Sequence, residues 1–197
     1  GGIWLTGSKG LLRDGNTTNP VSVVEGKPIK LGRFSKTKSG LFVLREKQVF
    51  KYSKNSQKIK VTGLIKTTES EKLYVSEDND MFIYDKAVEK INKKGSREAI
   101  IKFKKPISTI FSEGDNLFIS FKHSGLVYHN LKTNKTTDYR KNRLLSRNLP
   151  TGATSFYLEG KKLWLGNDES GLYEVDVTNI ESPKLVQHHT YNKTNPK

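Results

Sequence analysis

One phrase recurs along this chain: an apolar residue, an aromatic, and a second apolar residue. It is Ile3-Trp4-Leu5, Leu41-Phe42-Val43, Leu73-Tyr74-Val75, Leu117-Phe118-Ile119 and Leu163-Trp164-Leu165. The central aromatics stand at 4, 42, 74, 118 and 164, separated by 38, 32, 44 and 46 residues. A strand-like unit returning at that interval constrains the fold more than any other feature, because repeats of about 40 residues are supersecondary units that bury their faces against one another. Each phrase is followed, after a polar turn, by another apolar run: Leu11-Leu12, Val49-Phe50, Met81-Phe82-Ile83-Tyr84, Leu126-Val127-Tyr128 and Leu172-Tyr173. Three of the turns end in glycine, Gly10, Gly125 and Gly171, which supplies the positive φ of a tight hairpin. The other two, around Glu46-Lys47 and Asp78-Asn79-Asp80, depend on longer or Asn/Asp-based turns.

The fourth and fifth repeats display a whole unit of four strands, A to D. In the fourth, strands are expected at 107–112, 117–121, 126–131 and 136–140; in the fifth, at 153–158, 163–166, 172–177 and 184–188. The fold expected is all-β, a β-propeller built of four-stranded antiparallel blades, with about five repeats present as part of a larger ring. The repeats fall roughly at 1–26, 27–63, 64–105, 106–148 and 149–190, with 191–197 a frayed tail, in a single propeller domain or fragment. A β-sandwich of equal strand count has no reason to repeat one phrase at this interval. Residues 85–97 come nearest to an amphipathic helix and are read as a long C–D connection.

The 197 residues suffice for a real core. The formal net charge of +15 biases the chain toward anionic partners, although the lysines are scattered. No cysteine is present, which excludes disulfides and thiolate metal sites. No apolar stretch reaches the length of a membrane-spanning helix. The first residue is Gly rather than Met, and the chain is read as an excised piece whose targeting signal has been removed.

The run from Asn148 to Asp176, NLPTGATSFYLEGKKLWLGNDESGLYEVD, resembles a two-component-regulator propeller repeat. Such a repeat joins a leucine-proline start, a first strand, a glycine turn, a tryptophan-centred strand and a Gly-Leu-Tyr third strand. Here those are Leu149-Pro150, residues 154–158, Gly160, Leu163-Trp164-Leu165-Gly166 and Gly171-Leu172-Tyr173. The opening GGIWLTGSKGLL matches the middle of the same pattern, while the second and third repeats lack its tryptophan and glycines. The tail GLYEVDVTNIESPKLV is also similar to the LVIVD-type surface propeller repeat. The first resemblance implies the periplasmic sensor region of a Bacteroidetes hybrid two-component system, binding oligosaccharide, with any kinase outside this chain. It also implies a periplasmic or cell-surface location, and further blades or a homodimer partner.

Strand parity places the B–C turns and the D–A connections on one face, and loops on a rigid scaffold commonly carry recognition. The B–C turns are read at 6–9, 45–47, 76–80, 122–124 and 167–170. The most basic connection is RKNRLLSRNLPTG, where Arg140, Lys141, Arg143 and Arg147 are suited to fork onto the carboxylate or sulfate of an acidic glycan. His123 in a B–C turn, Tyr139 beside the basic loop and Asp168 at the last B–C tip complete the candidate ligand site. Trp4, Phe42, Tyr74, Phe118 and Trp164 are read as core; Tyr128, Tyr139 and Tyr173 are read as looser.

No catalytic residue, cofactor or metal is assigned. His188-His189 point to opposite faces of a strand, and Asp78 with Asp80 lacks a third ligand. The basic residues are not interleaved with base-stacking aromatics, which argues against nucleic acid. The alternative to a sensor is a non-catalytic interaction propeller, a scaffold in a cell-surface or secretion complex.

Overall fold

The computed structural model describes residues 34–52, 58–142 and 149–190, and the backbone of residues 4–7 and 10–13. The regular secondary structure of the described residues is almost wholly strand, in five sheets. The first pairs β1 (Trp4–Gly7) with β2 (Gly10–Arg13). The second comprises β3 (Phe34–Thr37), β4 (Gly40–Arg45), β5 (Gln48–Tyr52) and β6 (Lys58–Lys60). The third comprises β7 (Lys72–Val75), β8 (Met81–Tyr84), β9 (Ala87–Ile91) and β10 (Arg97–Lys102). The fourth comprises β11 (Thr109–Glu113), β12 (Asn116–Phe121), β13 (Gly125–Asn130) and β14 (Thr136–Asp138), and the fifth β15 (Ser155–Glu159), β16 (Lys162–Asn167), β17 (Gly171–Asp176) and β18 (Lys184–His189). Four-stranded antiparallel meanders of this kind are propeller blades, and the all-β blade architecture is the one the repeat demands. One turn of 3-10 helix, Tyr139–Lys141, follows β14. Among the described residues no helix is long and apolar enough to cross a membrane.

The third repeat departs from the expected register. Leu73-Tyr74-Val75 lies on β7, the first strand of its sheet, whereas the phrase lies on the second strand, β4, β12 and β16, in the other four-stranded sheets. The second-strand counterpart is Met81-Phe82-Ile83 on β8. The central aromatics of the four second strands are then 42, 82, 118 and 164, spaced 40, 36 and 46 residues apart. Tyr74 pairs its ring with Phe82 at 6.2 Å, as Phe111 of β11 does with Phe118 at 6.3 Å. Two consequences follow for the loops. Residues 76–80 form an A–B turn, not a B–C turn, with Asn79 in the left-handed region at φ +67°. Residues 85–97, expected as a long connection, contain the strand β9; its apolar Val88 and Ile91 face inward, both buried.

The chain divides into two compact units: Gly1–Ile83 with Lys90–Glu98, and Tyr84–Glu89 with Ala99–Lys197. The core of the first gathers Phe42, Leu44 and Val49 of the second sheet with Leu73, Val75, Met81, Ile83 and Ile91. The side chain of Ser35 locks β3 to β7 from inside, its hydroxyl accepting from Val75 N at 2.8 Å and lying 3.2 Å from the Val75 carbonyl. Arg97 forks onto Glu71, with Nη2 2.6 Å from Oε1. Burial pushes the Glu71 carboxyl up, but the Arg97 hydrogen bond and charge and the Thr68 amide together hold it below the usual range.

The core of the second unit joins Phe118, Leu126 and Tyr128 to Leu163, Leu165 and Val175, with Tyr139, Leu149 and Ala153 from the connection between them. Phe156 stacks on Phe111 at 6.0 Å. His129, on β13, is 2% exposed, and its Nδ1 lies 2.8 Å from the Thr136 hydroxyl. Burial disfavours the imidazolium and lowers its pKa below the ordinary 6.5. The unfolded chain therefore binds a proton that the folded chain resists, and stability falls as pH drops below about 6.5. Against a His129→Phe variant, the wild-type protein is expected to lose unfolding free energy between pH 7.5 and 5.5. Urea midpoints of both proteins at the two pH values check this, and a pH-independent difference between them would refute it.

Candidate functional site

In the second unit, the turn between β12 and β13 meets the connection that leaves β14 for β15. Between them lies a cleft of about 170 Å³. One wall is His123, Ser124 and Gly125; the other is Tyr139, Arg140 and Leu149-Pro150-Thr151. The loops are pinned by backbone. Gly125 N–H donates to the Thr151 carbonyl, and Gly125 sits at φ +77°, where a Cβ would stand 3.1 Å from Arg140 Cγ. Gly152 passes so close to β12 that a Cβ would come within 2.5 Å of the Phe121 carbonyl. Asn167 adds a third tie, its side-chain amide donating to the Gly152 carbonyl at 2.5 Å.

His123 adopts φ +54°, an uncommon conformation for a residue with a Cβ. It leaves the imidazole half out of the cleft, with Nδ1 3.8 Å from a Glu169 carboxylate oxygen and 56% of the side chain exposed. Lys105 reaches the same turn, Nζ donating to the Ser124 hydroxyl at 3.1 Å. Arg140 lies over the Phe121 ring at 4.4 Å, and Phe121 meets Phe103 edge-on at 4.9 Å. The guanidinium forks onto Asp138, Nε to Oδ1 and Nη2 to Oδ2, each 2.7 Å. Burial raises the Asp138 carboxyl, but the Arg140 hydrogen bonds and charge outweigh it and hold it below the usual carboxylate range. Arg140 thus lines the cleft with its charge largely balanced by Asp138.

The structure brings His123, Tyr139 and Arg140 to one cleft. Tyr139 is not a loose platform: it is 3% exposed, and its hydroxyl donates to the Ile180 carbonyl at 2.5 Å. Burial first, then Tyr128 and Glu181, push its phenol up. Tyr128, also expected to be loose, is buried, its hydroxyl held by Asn116 and Asn130. Lys141 is exposed outside the cleft lining, and Asp168 is exposed at the tip of the β16–β17 turn. That turn is fastened by Asn167 Oδ1, which accepts from the amides of Glu169 and Ser170 and from the Ser170 hydroxyl. Arg143 and Arg147 lie outside the described residues. Lys105, Phe103, Phe121 and Asp138 were not anticipated. Parity puts Phe103-Lys104-Lys105-Pro106 on the same face as the other D–A connections, and that is the signal that finds Lys105.

A larger cleft, about 350 Å³, opens on the third sheet between Asp80, Lys90, Asn92 and Glu98. Three of its charges are already paired: Lys90 Nζ is 2.9 Å from Asp80, and Arg97 is committed to Glu71. Among the described residues, no three His, Asp or Glu side chains are grouped to hold a metal ion.

No protein-family model matches the chain, and no curated protein matches it. Solved structures do. The extracellular domain of the hybrid two-component system BT4673 of B. thetaiotaomicron is 12% identical with a TM-score of 0.59, over 98% of this chain and 27% of that one. The extracellular domain of BT3049 from the same organism is 20% identical with a TM-score of 0.50, over 79% of this chain and 24% of that one. The N-terminal domain of Nup159 is 13% identical with a TM-score of 0.51, over 84% of this chain and 46% of that one. The chain spans about a quarter of the length of the two bacterial domains. None of the three bears on the LVIVD-type likeness. At these identities the likeness is one of fold, and the fold is that of the propeller-type extracellular domains.

Proposed function

We propose that this chain is an extracytoplasmic binding propeller that takes an oligosaccharide bearing carboxylate or sulfate groups, as the input region of a two-component signalling protein in the periplasm or at the cell surface. The observation that carries the reading is the meeting of His123 and Arg140 at one cleft, with Lys105 bonded to Ser124 of the same turn and Arg143 and Arg147 in the same connection. The fork of Arg140 is taken by Asp138, so the guanidiniums offered to a planar anion are those of Arg143 and Arg147, whose geometry suits forked hydrogen bonds. The bacterial neighbours, being extracellular domains of two-component systems, support the signalling context. Fold likeness alone does not decide it, since Nup159 shares the architecture.

A glycan array probed with the protein and with an Arg143→Ala/Arg147→Ala variant tests the ligand class. Acidic oligosaccharides are expected to be retained by the wild type, and their binding to weaken by about 10-fold or more in the variant, the scale of one charge-assisted hydrogen bond. Equal binding by both proteins, or none to acidic sugars, refutes the proposal.

A further inference from the structure

The central aromatic of each second strand looks toward the same side of its sheet, the side away from the strand's flanking apolar pair. In three sheets that aromatic is sealed: Phe42 is 2% exposed, Phe82 0% and Phe118 1%. In the fifth sheet it is not. Trp164 is only half-buried, and Tyr157, directly across from it on β15, is 61% exposed. Leu172 stands on the same face, across from Gly166 and 40% exposed. His189 stacks on the indole at 6.1 Å without covering it. The opposite face of this sheet is closed, with Leu163, Leu165 and Val175 buried against the fourth sheet.

The fourth sheet shows what covers such a row. There the cross-strand neighbours Phe111, Phe118 and Tyr128 meet Phe156 at 6.0 and 6.4 Å and the buried Leu163 and Leu165 of the sheet that follows. Tyr157, Trp164 and Glu174 occupy the same three register positions one sheet further on. We infer that this row is the seat of a further four-stranded sheet of the same repeat, carried by polypeptide that continues this chain. The interface between the fourth and fifth sheets is thereby repeated once more.

The one charge in the row is already neutralised. Glu174 is 7% exposed, and its carboxylate takes Lys162 Nζ at 2.7 Å, so a covering sheet meets a paired carboxylate rather than a bare one. A second copy of the chain is the poorer occupant, because a net charge of +15 opposes self-association. This chain matches 24% and 27% of the two bacterial extracellular domains, each of which therefore has polypeptide beyond the matched part.

Hydroxyl-radical footprinting of the full-length polypeptide, read residue by residue by mass spectrometry at two protein concentrations, tests the assignment. Tyr157 and Trp164 are expected to oxidise as slowly as the buried Tyr128, equally at both concentrations. Free oxidation of Tyr157 overturns the inference. So does protection that grows with protein concentration, which marks a second copy, or protection that appears only with added oligosaccharide, which marks a sugar platform. A reading frame that stops at Lys197 overturns it outright. The result is independent of the ligand proposed at His123, since no residue of that cleft is read out.

Discussion

Phe118→Ala is expected to lower the unfolding free energy by about 3–5 kcal/mol, the usual cost of deleting a fully buried phenylalanine. The ring is 1% exposed and touches Phe111, Tyr128 and Phe156, with centroids at 6.3, 5.5 and 6.4 Å. Its loss opens a cavity bounded by hydrogen-bonded strands on both sides, and paired strands collapse poorly into a void. The same substitution at Trp164 is expected to cost less in a protein of residues 1–197, because that ring is only half-buried. Guanidinium unfolding of the two variants checks the order; a larger loss at Trp164 would show that the repeat positions are not energetically graded by burial.

The second large effect is expected at Gly171. Its φ is +96°, and a Cβ there would stand 2.2 Å from the His189 carbonyl oxygen. Gly171→Ala therefore combines backbone strain of about 1–3 kcal/mol with a clash against backbone that cannot rotate away. Gly160 is the control: its φ is +59°, and a Cβ would meet nothing within 4 Å. Gly160→Asn is expected to be nearly silent, since asparagine tolerates the left-handed region. Thermal unfolding should show a clear fall in Tm for the first variant and little for the second. Similar losses at both would mean that φ alone, and not the close approach of β18, sets the cost.

The all-β, four-stranded plan was legible because one phrase marks the second strand of each sheet. The same phrase misled in the third repeat, where Leu73-Tyr74-Val75 and Met81-Phe82-Ile83 lie on consecutive strands. Alternation alone cannot say which of two paired apolar strands comes first; the more even spacing through Phe82 was the available clue. At the cleft, charge and parity brought His123 and Arg140 to one face. They did not show that Asp138, two residues before Arg140, would take its fork, nor that Tyr139 between them would turn inward to reach Ile180. Those facts depend on the neighbouring sheet, as does the exposure of Trp164: burial belongs to whatever lies opposite, and a strand's own sequence does not contain that.

In every four-stranded sheet the strands lie side by side in the order in which they leave the ribosome. Pairing them requires only short loop closures, so hairpin formation is fast and the slower events are the dockings of one sheet onto the next. A duplication or deletion of one repeat, about 40 residues, would leave every hydrogen-bond ladder intact and change only a face-to-face contact. Such a molecule gains and loses material in whole sheets, and selection acts on the number of sheets separately from the loops that join their strands.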